Sequence, residues 1–150
     1  MPQSHASLHC HLIFSTKNRV AWLVDDLSDR LYSYIGGILK AAKCRLVAAG
    51  GVADHVHLLV SLSREISVAV LLRLIKANSC KWIHETFPGQ RRFAWQAGYG
   101  ALAVSFSQIA TVRRYIAGQA AHHRKITFQD EFRLFLQRHG IEYDERYLWD

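Results

Sequence analysis

Two histidines with one residue between them stand inside an apolar stretch at residues 53–62, ADHVHLLVSL. Side chains alternate along a β-strand, so His55 and His57 would point to one face and the apolar residues between and after them mainly to the other. Imidazole is the commonest neutral metal ligand, and two imidazoles on one face can converge on a single divalent ion. The pair is also typical of ordinary core or surface histidines, and a catalytic metal site needs a further ligand.

A second pair with the same spacing lies near the start of the chain, where His9 and His11 flank Cys10 in LHCHLIFS at residues 8–15. The alternation of this stretch predicts a half-buried strand. Because both stretches carry histidines at i and i+2, the spacing alone does not decide which pair would hold a metal.

The common histidine-based metal hydrolases do not fit this sequence. It contains no HExxH or HxHxDH motif, and no acidic cluster accompanies the two strands. Two-histidine phosphoesterases would repeat HxT or HxS, which HVHL does not supply. Amidohydrolases carry their HxH pair in a barrel that is much longer than a chain of 150 residues.

Further candidates for chemistry lie at residues 112–125, VRRYIAGQAAHHRK. On a helix, Tyr115 and Gln119 share a face that His122 continues. The glutamine offers a neutral oxygen to a divalent ion, and the phenol can act as a nucleophile. Without the strand histidines, the same stretch would be typical of an amphipathic helix with a solvated basic face. Basic residues suited to binding phosphate surround Tyr115 and Gln119 in the sequence. They are Arg113, Arg114, Arg124 and Lys125.

The elements that must position these residues alternate between strand and helix periodicity. Ser67 is a candidate N-cap for the longest helix. Gly-punctuated AGYGALAVS, at residues 97–105, is predicted to be a mobile connection or hinge. The predicted strands are 8–15, 44–51, 53–62 and one starting with FAWQ at 93–96, and the predicted helices run from Asp25 to about Leu39, from Ser67 to about Thr86, from Ser107 to about His123 and over 128–138.

This order predicts an α+β fold, the βαββαβ antiparallel sheet of ferredoxin-like and RRM-like domains, with C-terminal helices added. Both helices of the unit would cover one face of the sheet and leave the other face open. The first and third strands would be neighbours, which places His9 and His11 beside His55 and His57. No repeat or linker divides the chain, so one domain is expected over residues 1–150.

Charge and cysteine content restrict the partners and the compartment. The formal net charge of +7 favours a polyanionic partner, with nucleic acid ahead of an anionic membrane or a small-molecule substrate. No stretch is typical of a membrane span or a signal peptide. Cys10, Cys44 and Cys80 form no CxxC pair and stand in apolar surroundings, which favours a reducing cytoplasm.

The combination of these stretches, in this order and over nearly the whole chain, resembles the single-tyrosine HUH transposases of the insertion sequence 200/605 family. HUH denotes histidine, a hydrophobic residue and histidine, here His55, Val56 and His57. The segments that carry the resemblance are HLIFSTKNR (11–19), GGVADHVHLLVSL (50–62), WQAGYG (95–100), YIAGQAAHH (115–123) and GIEYDERYLWD (140–150).

The resemblance implies a DNA transposase that cleaves and rejoins single-stranded DNA at hairpin-marked element ends. His55, His57 and Gln119 would hold Mg²⁺ or Mn²⁺ beside the scissile phosphate. Tyr115 would attack that phosphate, form a 5′-phosphotyrosine and release a 3′-OH. His9 and His11 would then line the site or serve the fold. Two alternatives remain open: a domesticated relative that acts on chromosomal repeat hairpins, and a nucleic-acid-binding module without catalysis.

The resemblance also implies a homodimer in which the tyrosine helix of one subunit completes the metal site of the other. Gly98, Gly100 and Gly118 are candidate hinges for that exchange. Lys17 and Arg19, at the end of the first strand, are candidate phosphate contacts. Asp54 is beside His55, but strict strand alternation would point its carboxylate to the opposite face. It is therefore not expected to orient the imidazole.

Overall fold

The fold is an α+β sandwich built on one antiparallel sheet, as seen in a computed structural model that describes residues 2–24 and 26–150. The sheet has four strands in the order β2-β3-β1-β4. The predicted βαββαβ topology is confirmed. The strands are β1 (His9–Ser15), β2 (Arg45–Val52), β3 (His55–Ser61) and β4 (Gly100–Val104), and the helices are α1 (Leu27–Ala41), α2 (Val68–Thr86), α3 (Ile109–Ala117), α4 (Gln119–His122) and α5 (Phe128–Arg138).

One face of the sheet packs on α1 and α2, because every second residue of the central strands is apolar. Ser67 caps α2 as predicted, since its side chain accepts a hydrogen bond from the backbone N–H of Val70. Helix α1 begins at Leu27; Asp25, where the sequence predicted its start, lies outside the described residues. The strand residues of this core are Cys10, Leu12, Phe14, Val56, Leu58 and Val60, and its helix residues include Leu31, Ile35, Leu39, Leu71, Leu72 and Ile75.

The expectation that the other face stays open is wrong, because the C-terminal helices of the same chain cover it. Ile13 and Leu102 of the sheet form a second core with Phe128, Phe132 and Leu136 of α5. These three α5 residues are four apart and make one apolar stripe that must be buried. Histidines on this face are therefore enclosed between sheet and helices.

The fourth strand begins later than predicted. Trp95 of the FAWQ segment makes only an isolated bridge to Thr16, whereas Gly100–Val104, within the stretch expected to be mobile, pairs with β1. Between them, Nζ of Lys76 donates hydrogen bonds to three consecutive backbone carbonyls, those of residues 96–98. The Lys76 ammonium group thus gives these carbonyls the hydrogen bonds that a neighbouring strand would otherwise supply.

The predicted helix over residues 107–123 is two helices. It starts at Ile109 and breaks at Gly118, which caps α3 and precedes the short α4. Glycine is a weak residue inside a helix, and the break occurs there. Helix α5 confirms the prediction for 128–138. In the described part of the chain, no helix has the length and apolar character needed to cross a membrane.

Candidate metal and tyrosine site

The histidine pair of β3 lies on the enclosed face of the sheet, and neither His55 nor His57 is exposed to solvent. On the neighbouring strand β1, His11 is also buried, and its Nε2 lies 2.8 Å from Nδ1 of His57. The other histidine of that strand, His9, faces Ser61 near the far end of the sheet. The two histidine pairs thus lie on one face as predicted, but only His11 contacts the β3 pair.

Asp54 contacts His55, contrary to the expectation from strand alternation. Its Oδ1 lies 2.7 Å from Nδ1 of His55. The alternation rule fails here because β3 begins at His55, so Asp54 belongs to the preceding turn. A carboxylate at this distance restrains the imidazole ring, whose Nε2 faces the interior of the site, toward Gln119 and Glu131.

Glu131 of α5 brings a buried carboxylate to the two histidines. Its Oε1 lies 2.9 Å from Nε2 of His57 and 3.6 Å from Nε2 of His55. The sequence interpretation missed it, although a signal exists: Glu131 stands one helical turn after Phe128 and beside Phe132, on the apolar stripe of α5. An acid on the apolar face of a helix is a candidate for a buried functional group.

Burial and hydrogen bonding set the charges of this cluster. Burial alone would raise the pKa of Glu131, but hydrogen bonds from His57 and Tyr115 outweigh it and lower the pKa to about 2. Burial lowers the pKa of His57, and it lowers that of His11 to about 3. At neutral pH the site therefore holds an ionised carboxylate among imidazoles that burial keeps neutral.

The tyrosine and the glutamine predicted for the site both reach it. The Tyr115 hydroxyl donates a hydrogen bond to Oε2 of Glu131. Gln119 lies 3.3 Å from His55, Oε1 to Nε2, and donates from its Nε2 to Oε2 of Glu131 at 3.3 Å. Burial and the neighbouring carboxylate raise the pKa of Tyr115 above its ordinary value, so the phenol is protonated at neutral pH.

Two histidines that follow α3 complete the surroundings of Glu131. Nε2 of His122 lies 3.1 Å from Oε2 of Glu131 and 3.2 Å from the Tyr115 hydroxyl. Nε2 of His123 lies 3.2 Å from the same oxygen, yet its direction forms no hydrogen bond, so this buried nitrogen has no partner. A buried nitrogen that lacks a hydrogen-bond partner and lies beside a carboxylate is typical of a metal ligand.

The donor atoms fit a divalent metal. One ligand atom from each of His55, His57, His123 and Glu131 lies within 4.8 Å of all the others. Nε2 of His55 faces two oxygen atoms, Oε1 of Gln119 at 3.3 Å and Oε1 of Glu131 at 3.6 Å. Nitrogen and oxygen atoms that converge in this way can share one cation. This group of side chains could therefore bind a metal ion.

The hydroxyl side of the site opens into a cavity of about 280 Å³ beside α3 and α5. Its walls include His11, Tyr115, His122, Glu131 and Arg138. The cavity connects the phenol, the carboxylate and a positive charge with solvent. It is thus a place where a phosphate could meet Tyr115.

The predicted basic residues lie at the surface around this site. Arg19 differs from the others, because it is half-buried and its guanidinium stacks on Trp149 at 5.6 Å. It also lines a second cavity of about 440 Å³, next to Asp54 and His123. The exposed members are Lys17, Arg113, Arg114, Arg124 and Lys125.

The buried cluster of Tyr115, the histidines and Glu131 on a ferredoxin-like sheet could hold a metal ion, and sequence comparison is more specific about the class of protein. The family described as Transposase IS200 like matches residues 4–119. The chain belongs to the IS200-like transposase family. The match ends at Gln119, so His122, His123 and Glu131 lie outside it.

Individual relatives agree with this assignment. The chain is 26% identical over 117 residues to the ISDra2 transposase TnpA of Deinococcus radiodurans, covering 75% of this chain and 84% of the relative. It is similar to a crystal structure from D. radiodurans R1, described as a transposase, with 28% identity and a TM-score of 0.65 over 79% of this chain and 98% of the other. A REP-associated tyrosine transposase bound to a REP hairpin shares the fold, with 16% identity and a TM-score of 0.61 over 84% and 76% of the two chains.

Proposed function

We propose that this transposase cleaves and rejoins single-stranded DNA at hairpin-marked ends through a 5′-phosphotyrosine on Tyr115. The observation that carries the proposal is the hydrogen bond from the Tyr115 hydroxyl to Glu131, the carboxylate that also contacts His57. This bond places a potential nucleophile beside a group of metal-binding side chains, in a chain of the IS200-like transposase family.

His55, His57 and Gln119 would hold Mg²⁺ or Mn²⁺ in the site. When bound, the ion would polarise the scissile phosphate and offset the charge that develops during its transfer. Asp54 and His11 would orient the two imidazoles through their Nδ1 atoms. The metal ligands thus come from β3 and from Gln119 at the start of α4, with support from the turn before β3 and from β1.

The tyrosine supplies the covalent step. Its oxygen forms a bond to phosphorus while the bond from phosphorus to the 3′-oxygen breaks, so the number of phosphate ester bonds is unchanged. Oε2 of Glu131 accepts the hydrogen bond of the hydroxyl and orients its oxygen, while the phenolic proton passes to water and water protonates the departing 3′-oxygen. Because the ester is kept, a 3′-OH can later attack the phosphotyrosine and rejoin a strand without ATP.

The exposed basic residues would bind the DNA backbone. Arg113 and Arg114 extend from the same helix as Tyr115, and Arg124 and Lys125 follow α4. Lys17 extends the basic surface at the end of β1. Such contacts provide affinity that does not depend on base sequence and that weakens with salt. Arg19, which stacks on Trp149, is the least available of the six predicted contacts.

We further propose that Tyr115 acts within its own chain. The phenol, Gln119 and both histidines of β3 come together in one chain. The homodimer with exchanged tyrosine helices, which the resemblance implies, is the alternative arrangement. Exchange would require α3 to leave its place on β2, where Ile116 packs against Gly50.

The test uses end-labelled hairpin DNA from the flanks of the gene, the protein and Mn²⁺ or Mg²⁺. We expect a protein–DNA adduct that resists denaturation, requires the metal and is lost in Tyr115→Phe. An adduct that persists in Tyr115→Phe would exclude this nucleophile. DNA binding without any adduct in the wild type would favour the alternative of a binding module. Hairpins from chromosomal repeats, compared in the same assay, separate a domesticated relative from an element transposase.

A further inference from the structure

Glu131 is a buried carboxylate without a permanent cation. It is 2% exposed, and among the described residues no lysine or arginine forms an ion pair with it. Its close neighbours are four imidazoles and the Tyr115 phenol. A carboxylate is costly to bury in its ionised form unless it is paired with a cation or coordinates a metal.

The two oxygens of this carboxylate have different surroundings. Oε1 faces the β3 histidines, 2.9 Å from Nε2 of His57 and 3.6 Å from Nε2 of His55. Oε2 faces the tyrosine side, where Tyr115 and Gln119 donate hydrogen bonds to it. The carboxylate therefore stands between the β3 histidines, which face Oε1, and the nucleophile, which shares Oε2 with His122 and His123.

The distances at Oε1 suit coordination. Two ligand atoms at right angles around an ion, each at about 2.1 Å from it, lie about 3 Å apart. The separations of Oε1 from the two Nε2 atoms, 2.9 and 3.6 Å, are close to that value. A cation between the three atoms would replace the hydrogen bond of His57 to Glu131 with coordination by both groups.

We propose that Glu131 is a ligand of the metal, bound through Oε1, while its Oε2 keeps the hydrogen bond to the Tyr115 hydroxyl. This inference rests on the proposed function, because it takes His55 and His57 as ligands of the same ion. It assigns the site an anionic ligand from α5, beyond the residues that match the family. One side chain then sets the position of the nucleophile relative to the ion.

The added carboxylate has consequences for affinity and selectivity. A negative ligand strengthens the attraction for a dication, above all in a buried site. Two imidazole nitrogens in the set favour Mn²⁺ over Mg²⁺, since Mg²⁺ prefers an all-oxygen shell with several waters. The site is therefore expected to bind Mn²⁺ more tightly than Mg²⁺, with Glu131 responsible for much of the affinity.

The experiment measures Mn²⁺ binding by electron paramagnetic resonance and calorimetry, without DNA. We compare wild type, Glu131→Gln, Glu131→Asp and the exposed control Glu142→Gln. Loss of the negative charge should weaken Mn²⁺ binding at least about tenfold in Glu131→Gln, whose neutral amide is nearly isosteric, and leave Glu142→Gln at the wild-type value. Unchanged affinity in Glu131→Gln would overturn the inference.

A wild-type measurement avoids dependence on the folding of the variants. In crystals soaked with Mn²⁺, anomalous scattering locates the ion, and we expect Oε1 of Glu131 within about 2.3 Å of it. A carboxylate that stays out of coordination distance of an ion bound by His55 and His57 contradicts the inference. That outcome leaves the proposed function intact, whereas an ion that binds neither histidine contradicts the proposed metal site itself.

Discussion

The Asp54 carboxylate lies 2.7 Å from Nδ1 of His55 and restrains that imidazole, whose Nε2 faces Gln119 and Glu131. Asp54→Ala removes this restraint on the orientation and tautomer of the His55 ring. It leaves the proposed metal ligands themselves unchanged. We expect Mn²⁺ affinity to fall about 10–100-fold, as for other outer partners of metal-binding histidines. Asp29→Ala, at an exposed carboxylate of α1, is the control for calorimetry. Equal Mn²⁺ affinities in the two variants would show that Asp54 does not orient His55.

The position of α3, the helix that carries Tyr115, depends on a glycine of the neighbouring strand β2. A Cβ on Gly50 of β2 would come within 2.6 Å of the carbonyl oxygen of Ile116, the residue after Tyr115. Gly50→Ala should push α3 outward and misplace the phenol. A displacement of about 1 Å can reduce a reaction about 100-fold. We expect adduct formation to fall by about that factor, and Mn²⁺ binding, whose other ligands come from β3 and α5, to change less.

The matched control for this variant is Gly37→Ala. No atom lies within 4 Å of the position of its added Cβ, and Gly37 is inside α1. Alanine is the better helix former by about 0.8–1 kcal/mol, so this variant should be as stable as wild type or more stable. If Gly50→Ala forms adduct at the rate of Gly37→Ala, the close approach does not position Tyr115.

Acid should destabilise the protein through its buried histidines. Burial lowers the folded-state pKa of His11 to about 3 and also lowers that of His57. The unfolded chain therefore takes up protons at these residues as the pH falls below about 6.5, and the folded chain does not, so stability is lost toward acid. Each such histidine contributes a slope of about 1.4 kcal/mol per pH unit. Glu131, with its lowered pKa, adds a loss of the same sign only below about pH 4.5.

Urea unfolding at pH 7, 6 and 5 measures this slope. His11→Phe removes one buried histidine, and we expect the loss of stability per pH unit between pH 6 and 5 to become smaller by about 1.4 kcal/mol. His5→Phe, at an exposed histidine ahead of β1, is the control variant. A slope in His11→Phe equal to that of wild type would mean that His11 is protonated in the folded protein.

Mixing two inactive variants distinguishes action within one chain from exchange between subunits. Tyr115→Phe keeps the histidines, and His57→Ala keeps the tyrosine. If each tyrosine serves the histidines of its own chain, the mixture forms no adduct. If subunits exchange α3, half-sites combine and adduct formation reappears, which would support the composite homodimer. The adduct assay reads the result directly, and light scattering of the wild type reports the oligomeric state.

Local patterns in the sequence were sufficient to predict the sheet and the histidine face. Strict alternation along β1 and β3 assigns Leu12 and Leu58 to one core and His11 and His57 to the other face. Alternation also led to an error, because it was extended to Asp54, which precedes the strand. The beginning of β4 was misplaced since Phe93 and Trp95, with their strand-like spacing, are buried in a loop that Lys76 supports.

The parts of the site that depend on distant packing could not be predicted in this way. Glu131 contacts His57 across 74 positions in the chain. That contact exists because α5 folds back and buries Phe132 against Gly100, which leaves no room for a Cβ. Neither a spacing rule nor the family motif relates an acid in a C-terminal helix to a histidine of β3. Only the covering of the second face of the sheet brings them together.

Peptide mapping of the covalent adduct tests the nucleophile, the central element of this account, most directly. After reaction with a hairpin oligonucleotide and Mn²⁺, nuclease trimming and trypsin, mass spectrometry locates the modified tyrosine. We predict that the nucleotide is attached to Tyr115, within the tryptic peptide of residues 115–124. Attachment to one of the more exposed tyrosines, Tyr99, Tyr143 or Tyr147, would contradict it.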